Sequence, residues 1–225
     1  MAWLPRLDTR LNCIAEEVPA CNLAADIGAD HGKLSCWLLA SGRVQRMIVS
    51  DISKVSRDKA RDLFIRHEVM DRVTLLGADG LHAIAGSRPE AVIIAGMGGA
   101  LVADILRQPV DLQGARLVLG AHTELPLVRA TLQARNYAII RETLVRAAGR
   151  YYRVITARPG EQVLSPAQME LGVHLRGYAG ADVRAYFRWQ LEVARDWQGE
   201  RGARYRTYLE EALDGYTGDD RTGSS

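Results

Sequence analysis

Along the first 160 residues, short apolar runs alternate with segments whose apolar residues recur at helical spacing. An opening segment predicts a helix that Asp8 begins and Pro19 ends. Five apolar runs then predict strands, and most of them lead into a helical segment. The predicted strands are 22–28, 46–51, 73–80, 90–99 and 115–121. The predicted helices between and after them are 31–41, 54–69, 101–108 and 125–135.

The repeated alternation of strand and helix predicts an α/β fold with a parallel, doubly wound sheet. The run at 90–99 is apolar almost throughout, as expected of a strand that is buried on both faces. Two further segments, 137–145 and 150–160, alternate like a pair of antiparallel strands. Together these patterns predict a seven-stranded sheet whose last strand is inserted antiparallel.

The segment 161–225 has a different pattern. Ser165 and Pro166 are typical of the start of a short helix. Two apolar stripes follow, with Gly199 and Gly202 between them, and they predict a small helical hairpin packed on or beside the sheet. We therefore expect a sheet domain over 1–160 and a C-terminal helical domain over 161–225, which ends in a disordered tail at 218–225.

Composition narrows the class of protein. The chain has 225 residues, of which 48% are hydrophobic, so a substantial core is available. No apolar run approaches the roughly 20 residues of a membrane span, and the first residues contain no signal-peptide apolar region. The three cysteines form no C-x-x-C pair, and the histidines lack metal-ligand spacing. We expect a reduced, cytoplasmic, monomeric protein that uses neither a metal nor a membrane.

The charge is small overall but unevenly distributed. The net charge is +2, yet the segment 129–158 contains seven arginines and a single acidic residue, Glu142. A basic excess of this kind can follow nucleic-acid phosphates, and it is equally typical of a solvated surface. Both interpretations stay open at this point. The arginines are Arg129, Arg135, Arg141, Arg146, Arg150, Arg153 and Arg158.

The turns after the first four strands are rich in glycine and aspartate. They are DIGADHG (26–32), SDIS (50–53), GADGL (77–81) and AGMGG (95–99). In a doubly wound sheet such turns meet at the carboxyl edge of the strands, near the point where strand order reverses, and ligands bind there. The four turns therefore predict a nucleotide-like ligand.

The charge of these turns selects among nucleotide-like ligands. The aspartate carboxylates in these turns would repel a pyrophosphate. Two unit charges of the same sign about 4 Å apart repel each other by roughly 4 kcal/mol at an effective dielectric constant near 20. S-adenosylmethionine carries a sulfonium, an ammonium and one carboxylate, so its net charge is positive and suits the site. The aspartates concerned are Asp26, Asp30, Asp51 and Asp79.

Each turn residue has an expected role. Gly28 lets the backbone pass close to the methionine part of the cofactor, and Asp26 orders the turn or receives the ammonium. Asp51 is placed like the acid that binds both ribose hydroxyls, and Asp79 accepts from the adenine amino group. The alternative for each aspartate is a turn or cap residue. The predicted cofactor-binding residues are Asp26, Gly28, His31, Asp51, Ile52, Asp79, Gly80, Ala95 and Gly96.

Five segments carry a resemblance to a known family. The segments ADIGADH (25–31), GADGL (77–81), IAGMGGALV (94–102), LDTRL (7–11) and LSPAQMELG (164–172) resemble the TrmK-type tRNA (adenine-N1)-methyltransferases. The resemblance implies a class I, Rossmann-like methyltransferase domain with S-adenosylmethionine as cofactor. It also implies a coiled-coil-like C-terminal domain that helps to hold tRNA, and N1 of adenosine 22 in the D-arm as the target.

One segment departs from that family. After the fifth strand the family typically has Gln-Pro-Asn, whereas this chain has Gly120, Ala121 and His122. Two other functions therefore stay open. The chain could be a class I methyltransferase that acts on another RNA or on a small molecule, or a non-catalytic RNA-binding protein of the same fold.

The chemistry of the expected reaction suggests further residues. N1 of adenine attacks the sulfonium methyl directly, and positive charge develops on the ring. We expect the Asp30 carboxylate to stabilise that charge or to act as a base on the amino group, and Met97 to form an apolar wall. Because N1 lies on the pairing edge, the nucleotide must be unpaired or flipped out. We expect Arg146, Arg150 and His122 to contact the RNA.

Overall fold

The computed structural model describes residues 4–215, so the expected tail at 218–225 lies outside the described residues. The strands are β1 (Cys21–Ile27), β2 (Val44–Ser50), β3 (Val73–Leu76), β4 (Ala91–Met97), β5 (Arg116–Ala121), β6 (Tyr137–Ala147), β7 (Arg150–Pro159) and β8 (Leu175–Tyr178). The helices are α1 (Thr9–Glu17), α2 (Lys33–Ala40), α3 (Lys54–Arg66), α4 (Gly99–Arg107), α5 (Leu125–Ala134), α6 (Pro166–Leu171), α7 (Val183–Val193) and α8 (Gly199–Asp214). Short 3-10 helices lie at Met70–Arg72 and Gly80–Ile84.

Local hydrogen bonds explain where several helices begin. The Asp8 carboxylate accepts the Leu11 N–H at 2.8 Å and caps α1, as expected from the sequence. Ser165 forms a reciprocal capping box with Gln168 at the start of α6, and Pro166 occupies the first turn of that helix. These caps satisfy backbone donors that have no partner inside a helix.

All eight strands form one sheet in the order β3-β2-β1-β4-β5-β7-β6-β8. Strands β1 to β5 are mutually parallel, and β7 runs antiparallel to both β5 and β6. The α/β fold, the doubly wound parallel sheet and the inserted antiparallel strand are thereby confirmed.

The prediction of seven strands is corrected by the C-terminal region. Strand β8 pairs in parallel with β6, so the sheet has eight strands within residues 4–215. The four residues Leu175–Tyr178 satisfy the outer edge of β6 from Glu142 to Val145, which would otherwise present unpaired backbone groups. Because this run contains a glycine and few apolar residues, periodicity alone does not distinguish it from a linker. The expected boundary between 1–160 and 161–225 stays a prediction.

Apolar side chains fill both faces of the sheet. One core cluster lies under α4 and α5 and includes Ile27, Ile94 and Leu119, while another lies under α1, α2 and α3 and includes Ile14, Phe64 and Ile93. The expected helical hairpin of α7 and α8 packs through a separate, smaller cluster. Its buried members are Leu144, Leu171, Val183, Tyr186, Phe187 and Leu209.

A buried ion cluster joins the C-terminal region to the sheet. The Glu142 carboxylate on β6 accepts from Arg129 Nε and Nη2 at 2.8 Å each, and from Arg153 Nη1 at 3.0 Å. Arg129 also donates to the carbonyls of Met169 and Glu170 in α6. The Arg129 and Glu142 side chains are fully buried. One carboxylate therefore holds α5, β6, β7 and α6 together.

A second buried carboxylate connects α1 to the same edge of the sheet. Glu17 accepts from Arg141 on β6, from Thr156 on β7 at 3.0 Å and from Arg176 on β8 at 2.9 Å. Burial opposes ionisation of Glu17, but the hydrogen bonds and charges of Arg141 and the other partners outweigh it and lower its pKa. The opening helix is thus held against β6, β7 and β8.

We expect Glu142→Gln to destabilise the fold by about 3 kcal/mol, because the substitution leaves two buried guanidinium groups without a counter-charge. Urea unfolding at pH 7 measures the effect. The matched control is Glu192→Gln, which breaks an exposed pair with Arg195 and should change stability by less than about 0.5 kcal/mol. An equal effect of the two substitutions would contradict the account.

The same interaction predicts a pH dependence. Burial opposes ionisation of Glu142, yet the hydrogen bonds and charge of Arg129, together with Arg153, hold its pKa below the usual value. Its stabilising contribution is therefore present above the unfolded pKa, near about 4.3, and is lost as pH falls through the lower folded pKa. The difference in unfolding free energy between wild type and Glu142→Gln should therefore become smaller in acid solution.

Candidate active site

The site lies where the strand order reverses, between β1 and β4. These strands are neighbours and parallel, but α2 packs on one face of the sheet and α4 on the other. Their carboxyl ends therefore open a crevice. It contains a first cavity of about 410 Å³, walled by the turns after β1 and β4 and by α1.

The turn after β1 has a left-handed backbone at three positions. Gly28, Asp30 and Gly32 have φ angles of 70°, 51° and 69°. The N–H groups of Gly28 and Ala29 donate to the Ser50 carbonyl at 2.8 and 3.0 Å, which ties the turn to the end of β2. A Cβ atom built on Gly28 would lie 1.9 Å from Met97 Cε, so the absence of a side chain lets the two turns approach.

Asp26 places a buried carboxylate on the wall of the first cavity. The residue is only 4% exposed, and its Oδ2 accepts from Ser35 Oγ at 2.5 Å. Burial raises the pKa of Asp26 to about 6, the Ser35 hydrogen bond opposes that rise, and the nearby Asp51 carboxylate adds to it. A cation bound in the cavity would relieve both unfavourable effects.

A second cavity of about 900 Å³ adjoins the first. Asp8, Arg10 and Gly96 line both cavities. A Cβ atom built on Gly96 would lie 3.7 Å from a guanidinium nitrogen of Arg10, so this guanidinium lies over the turn where the cavities meet. Most of the other side chains on the second wall are basic or aromatic. These are His122, Arg146, Arg150, Tyr151, Tyr152 and Trp189.

Comparison with known proteins gives the family. Residues 7–155 match the model of a methyltransferase domain. The chain is 31% identical to the tRNA (adenine(22)-N1)-methyltransferase of Bacillus subtilis over 159 residues, which cover 70% of this chain and 67% of that protein. This chain belongs to the TrmK-type tRNA (adenine(22)-N1)-methyltransferase family. The resemblance inferred from the sequence motifs is thereby confirmed.

Solved structures agree on the fold of this TrmK-type chain. The TrmK structure from Bacillus subtilis superposes with a TM-score of 0.73 at 22% identity, covering 93% of this chain and 97% of that one. A Streptococcus pneumoniae protein, described as a candidate tRNA methyltransferase in complex with S-adenosylmethionine, has a TM-score of 0.81 at 23% identity. This superposition covers 92% of the present chain and 100% of the Streptococcus pneumoniae chain.

Asp51 lies beside the first cavity rather than on its wall. Its two carboxylate oxygens accept the N–H groups of Asp30 at 3.0 Å and Ser53 at 2.8 Å. The side chain thereby fixes the turn after β1 and the start of α3. Ile52 is 75% exposed next to it, an unusual position for a large apolar side chain. Cofactor contact by either residue stays a prediction.

Asp79 and Gly80 also lie outside the walls of both cavities. Asp79 is exposed and precedes the 3-10 helix at Gly80–Ile84. Packing accounts for the glycine at position 80, because a Cβ atom there would collide with Gln108 Oε1 at 2.3 Å. That oxygen accepts the Leu81 N–H. A role of Asp79 in binding adenine stays a prediction.

Among the candidate catalytic residues, Asp30 and Met97 line the first cavity but not the second. The Asp30 side chain is 74% exposed, and its Oδ1 lies 3.4 Å from both His31 Nε2 and Ser56 Oγ. Catalytic roles of Asp30 and Met97 stay predictions. His31 and Ala95 also line the first cavity.

The arginine-rich segment is divided between two roles, which corrects the interpretation of the whole segment as a phosphate-binding or solvated surface. Four of the arginines are engaged inside the protein. Arg129 and Arg153 bind Glu142, Arg135 donates to the carbonyls of Leu106, Gln108 and Val110, and Arg141 binds Glu17. The other three are exposed, and two of these, Arg146 and Arg150, line the second cavity.

Sequence reasoning did not assign Asp8, Arg10, Tyr151, Tyr152 or Trp189 to the site. The motif LDTRL (7–11) contained a signal for the first two, since it was part of the family resemblance. The aromatic residues gave no separate signal, because tyrosines in an alternating strand and a tryptophan in an amphipathic helix are ordinary packing residues.

We expect Asp26→Asn to stabilise the ligand-free protein at pH 7 by on the order of 2 kcal/mol, because the raised pKa makes ionisation unfavourable in the folded state. The same substitution should weaken S-adenosylmethionine binding at least tenfold, since it removes a carboxylate facing a cation. Thermal unfolding and calorimetry measure the two effects.

Wild-type affinity for S-adenosylmethionine should also fall as pH is lowered through about 6, where Asp26 takes up a proton. Asp104→Asn, which changes an exposed carboxylate on α4, is the matched control and should alter neither quantity. Loss of stability in Asp26→Asn, or unchanged cofactor affinity, would contradict this role of Asp26.

Proposed function

We propose that this protein transfers the methyl group of S-adenosylmethionine to N1 of adenosine 22 in the D-arm of tRNA. Membership of the TrmK-type family supports the activity. The single observation that carries the assignment of roles is the meeting of the two cavities at Asp8, Arg10 and Gly96. One cavity is suited to the methyl donor and the other to an unpaired nucleotide.

The first cavity fits S-adenosylmethionine by charge. Three carboxylates, those of Asp8, Asp26 and Asp30, face two cations, Arg10 and Lys33. S-adenosylmethionine has the complementary set of charges, because it carries two cationic groups, an ammonium and a sulfonium, and one carboxylate. The absence of a side chain at Gly28 lets Met97 of the turn after β4 lie against the turn after β1. Close approach of the methionine part of the cofactor to this backbone is part of the proposal. When bound, S-adenosylmethionine supplies an activated methyl group on its sulfonium.

The work of the protein in this reaction is placement. Asp26 and the turn after β1 hold the cofactor side, while Arg10 and Gly96 form the passage to the second cavity. In-line placement of the N1 lone pair replaces covalent catalysis. The positive charge that develops on adenine is stabilised by the Asp8 carboxylate, which lines both cavities, and the Asp30 carboxylate contributes from the first cavity.

The second cavity suits an adenine that has left its base pair. Tyr152 lies beneath Arg10, whose Cζ is 5.5 Å from the ring centroid, and His122 meets the same ring edge-on at 6.2 Å. This group lies beside Gly96, next to the passage. Aromatic and guanidinium planes of this kind hold flipped-out bases by stacking. His122 replaces the last residue of the family's Gln-Pro-Asn and borders the expected adenine site.

RNA phosphates are assigned to Arg146 and Arg150, which lie exposed at the tip of the β6–β7 hairpin. The proposal also includes tRNA as the binding partner, a cytoplasmic location and a monomeric state. No helix within residues 4–215 has the length and apolar character needed to cross a membrane.

The defining assay uses labelled S-adenosylmethionine and unmodified tRNA, followed by identification of the modified nucleoside by mass spectrometry. We expect N1-methyladenosine in a tRNA that has adenosine at position 22, and no label in the same tRNA with guanosine there. Label on a different nucleoside would favour another RNA substrate. Absence of labelled RNA would favour a small-molecule methyltransferase or a non-catalytic RNA-binding protein.

We expect reversal of both hairpin charges, Arg146→Glu with Arg150→Glu, to weaken tRNA binding and flatten its salt dependence. Each lost phosphate contact removes about 0.7–0.9 from the slope of log K against log salt concentration. Fluorescence titration at several salt concentrations measures both quantities.

The matched control reverses two exposed arginines at the opposite edge of the sheet, Arg88→Glu with Arg158→Glu, and gives the same change in net charge. It should leave the salt slope close to that of wild type. If both double variants change the slope equally, the effect arises from net charge rather than from a contact surface at the hairpin.

A further inference from the structure

One end of the second cavity is lined by aromatic side chains. The adenine proposed to bind near Gly96 does not occupy this end. Trp189 on α7 lines this cavity with 47% of its surface exposed. Its ring centroid lies 5.3 Å from that of Tyr151 and 5.9 Å from that of Tyr186. Because Tyr186 is only 7% exposed, the two tyrosines form a fixed support for the indole, which keeps a large surface towards the cavity.

This aromatic end is separate from the group around Tyr152. Tyr151 and Tyr152 are consecutive in β7, so their side chains point to opposite faces of the sheet. Tyr152 packs against the core under α1 to α3, whereas Tyr151 packs against the cluster of the C-terminal hairpin. Both aromatic groups line the one cavity of about 900 Å³. The cavity therefore offers two aromatic positions.

The charges around Trp189 suit nucleic acid. Arg146 and Arg150 line the same cavity, and the Arg146 guanidinium lies 5.7 Å from the Tyr151 ring centroid. Among residues 4–215, Asp8, at the passage to the first cavity, is the only acidic residue that lines this one. An exposed aromatic surface flanked by arginines is the arrangement that binds single-stranded nucleotides, with bases on the ring and phosphates on the cations.

Exposure alone does not single out Trp189. Trp197 is 45% exposed, but it stacks on Tyr205 at 5.2 Å and lies outside both cavities of the site. The two tryptophans thus have nearly the same exposure and belong to the same hairpin of helices. They differ in location relative to the site, which makes Trp197 a matched control.

We propose that the Trp189 indole stacks on an unpaired base of the tRNA adjacent to the target adenosine. This inference rests on the proposed function and deepens it. Trp189 is then a positioning residue, which holds the strand while the target base occupies the end of the cavity near Gly96. The C-terminal helices thereby contribute a specific base contact in addition to general affinity for RNA.

The test compares Trp189→Ala, Trp189→Phe and Trp197→Ala. Binding of unmodified tRNA is measured by filter binding with S-adenosylhomocysteine present, so that no turnover is needed. We expect Trp189→Ala to weaken tRNA binding about tenfold, which is within the range of losses for one stacked base. Trp189→Phe should recover most of the affinity, and Trp197→Ala should bind tRNA like wild type.

Two further readouts separate stacking from other roles. The salt slope of tRNA binding should be unchanged in Trp189→Ala, because no phosphate contact is lost. Affinity for S-adenosylmethionine should also be unchanged, because the indole lies outside the first cavity. Wild-type tRNA affinity in Trp189→Ala, an equal loss in Trp197→Ala, or a parallel loss of cofactor affinity would each overturn the inference.

Failure of the proposed function has a different signature. If the wild-type protein binds tRNA but methylates no adenosine 22, the proposed function is wrong whatever the tryptophan variants do. If wild type methylates adenosine 22 and Trp189→Ala matches it in tRNA affinity, only the stacking role is wrong.

Discussion

The ion cluster at Glu142 is the interaction on which the region proposed to bind tRNA depends. Fully buried, this carboxylate balances Arg129 and Arg153 and, through Arg129, reaches the carbonyls of α6. Removal of the carboxylate would leave two guanidinium groups buried without a counter-charge, so the elements are held in one arrangement. The hairpin of β6 and β7 is thereby fixed with its arginine-bearing tip at the same edge as the turns after β1 and β4.

The region proposed to bind the cofactor depends on topology instead. Parallel strands whose helices leave to opposite faces must open a crevice at their carboxyl ends. In this crevice Asp26 remains buried although its pKa is raised, which is unfavourable for the ligand-free fold. Such a group is expected where a site is arranged for a cation. The two halves meet at Arg10 and Gly96, and this meeting point is where methyl transfer is assigned.

Much of this could be predicted from the sequence because the signals are local. Strand and helix periodicity gave the doubly wound sheet, and Asp8 and Ser165 gave helix starts. Long-range pairing could not be predicted in this way. Strand β8 exists because β6 has an open edge, and the burial of Arg129 depends on a glutamate thirteen residues away in another element. For the same reason the motif LDTRL (7–11) was recognised as a family feature, while its place between two cavities required the fold.

The central claim is that methyl donor and target base occupy the two cavities and meet at Gly96. A crystal structure with S-adenosylhomocysteine and an oligonucleotide containing an unpaired adenosine tests it directly. We expect the sulfur atom in the first cavity, facing the passage at Arg10 and Gly96, with adenine N1 pointing towards it from beside Tyr152. A cofactor bound outside the first cavity, or an adenine bound away from the passage, would contradict it.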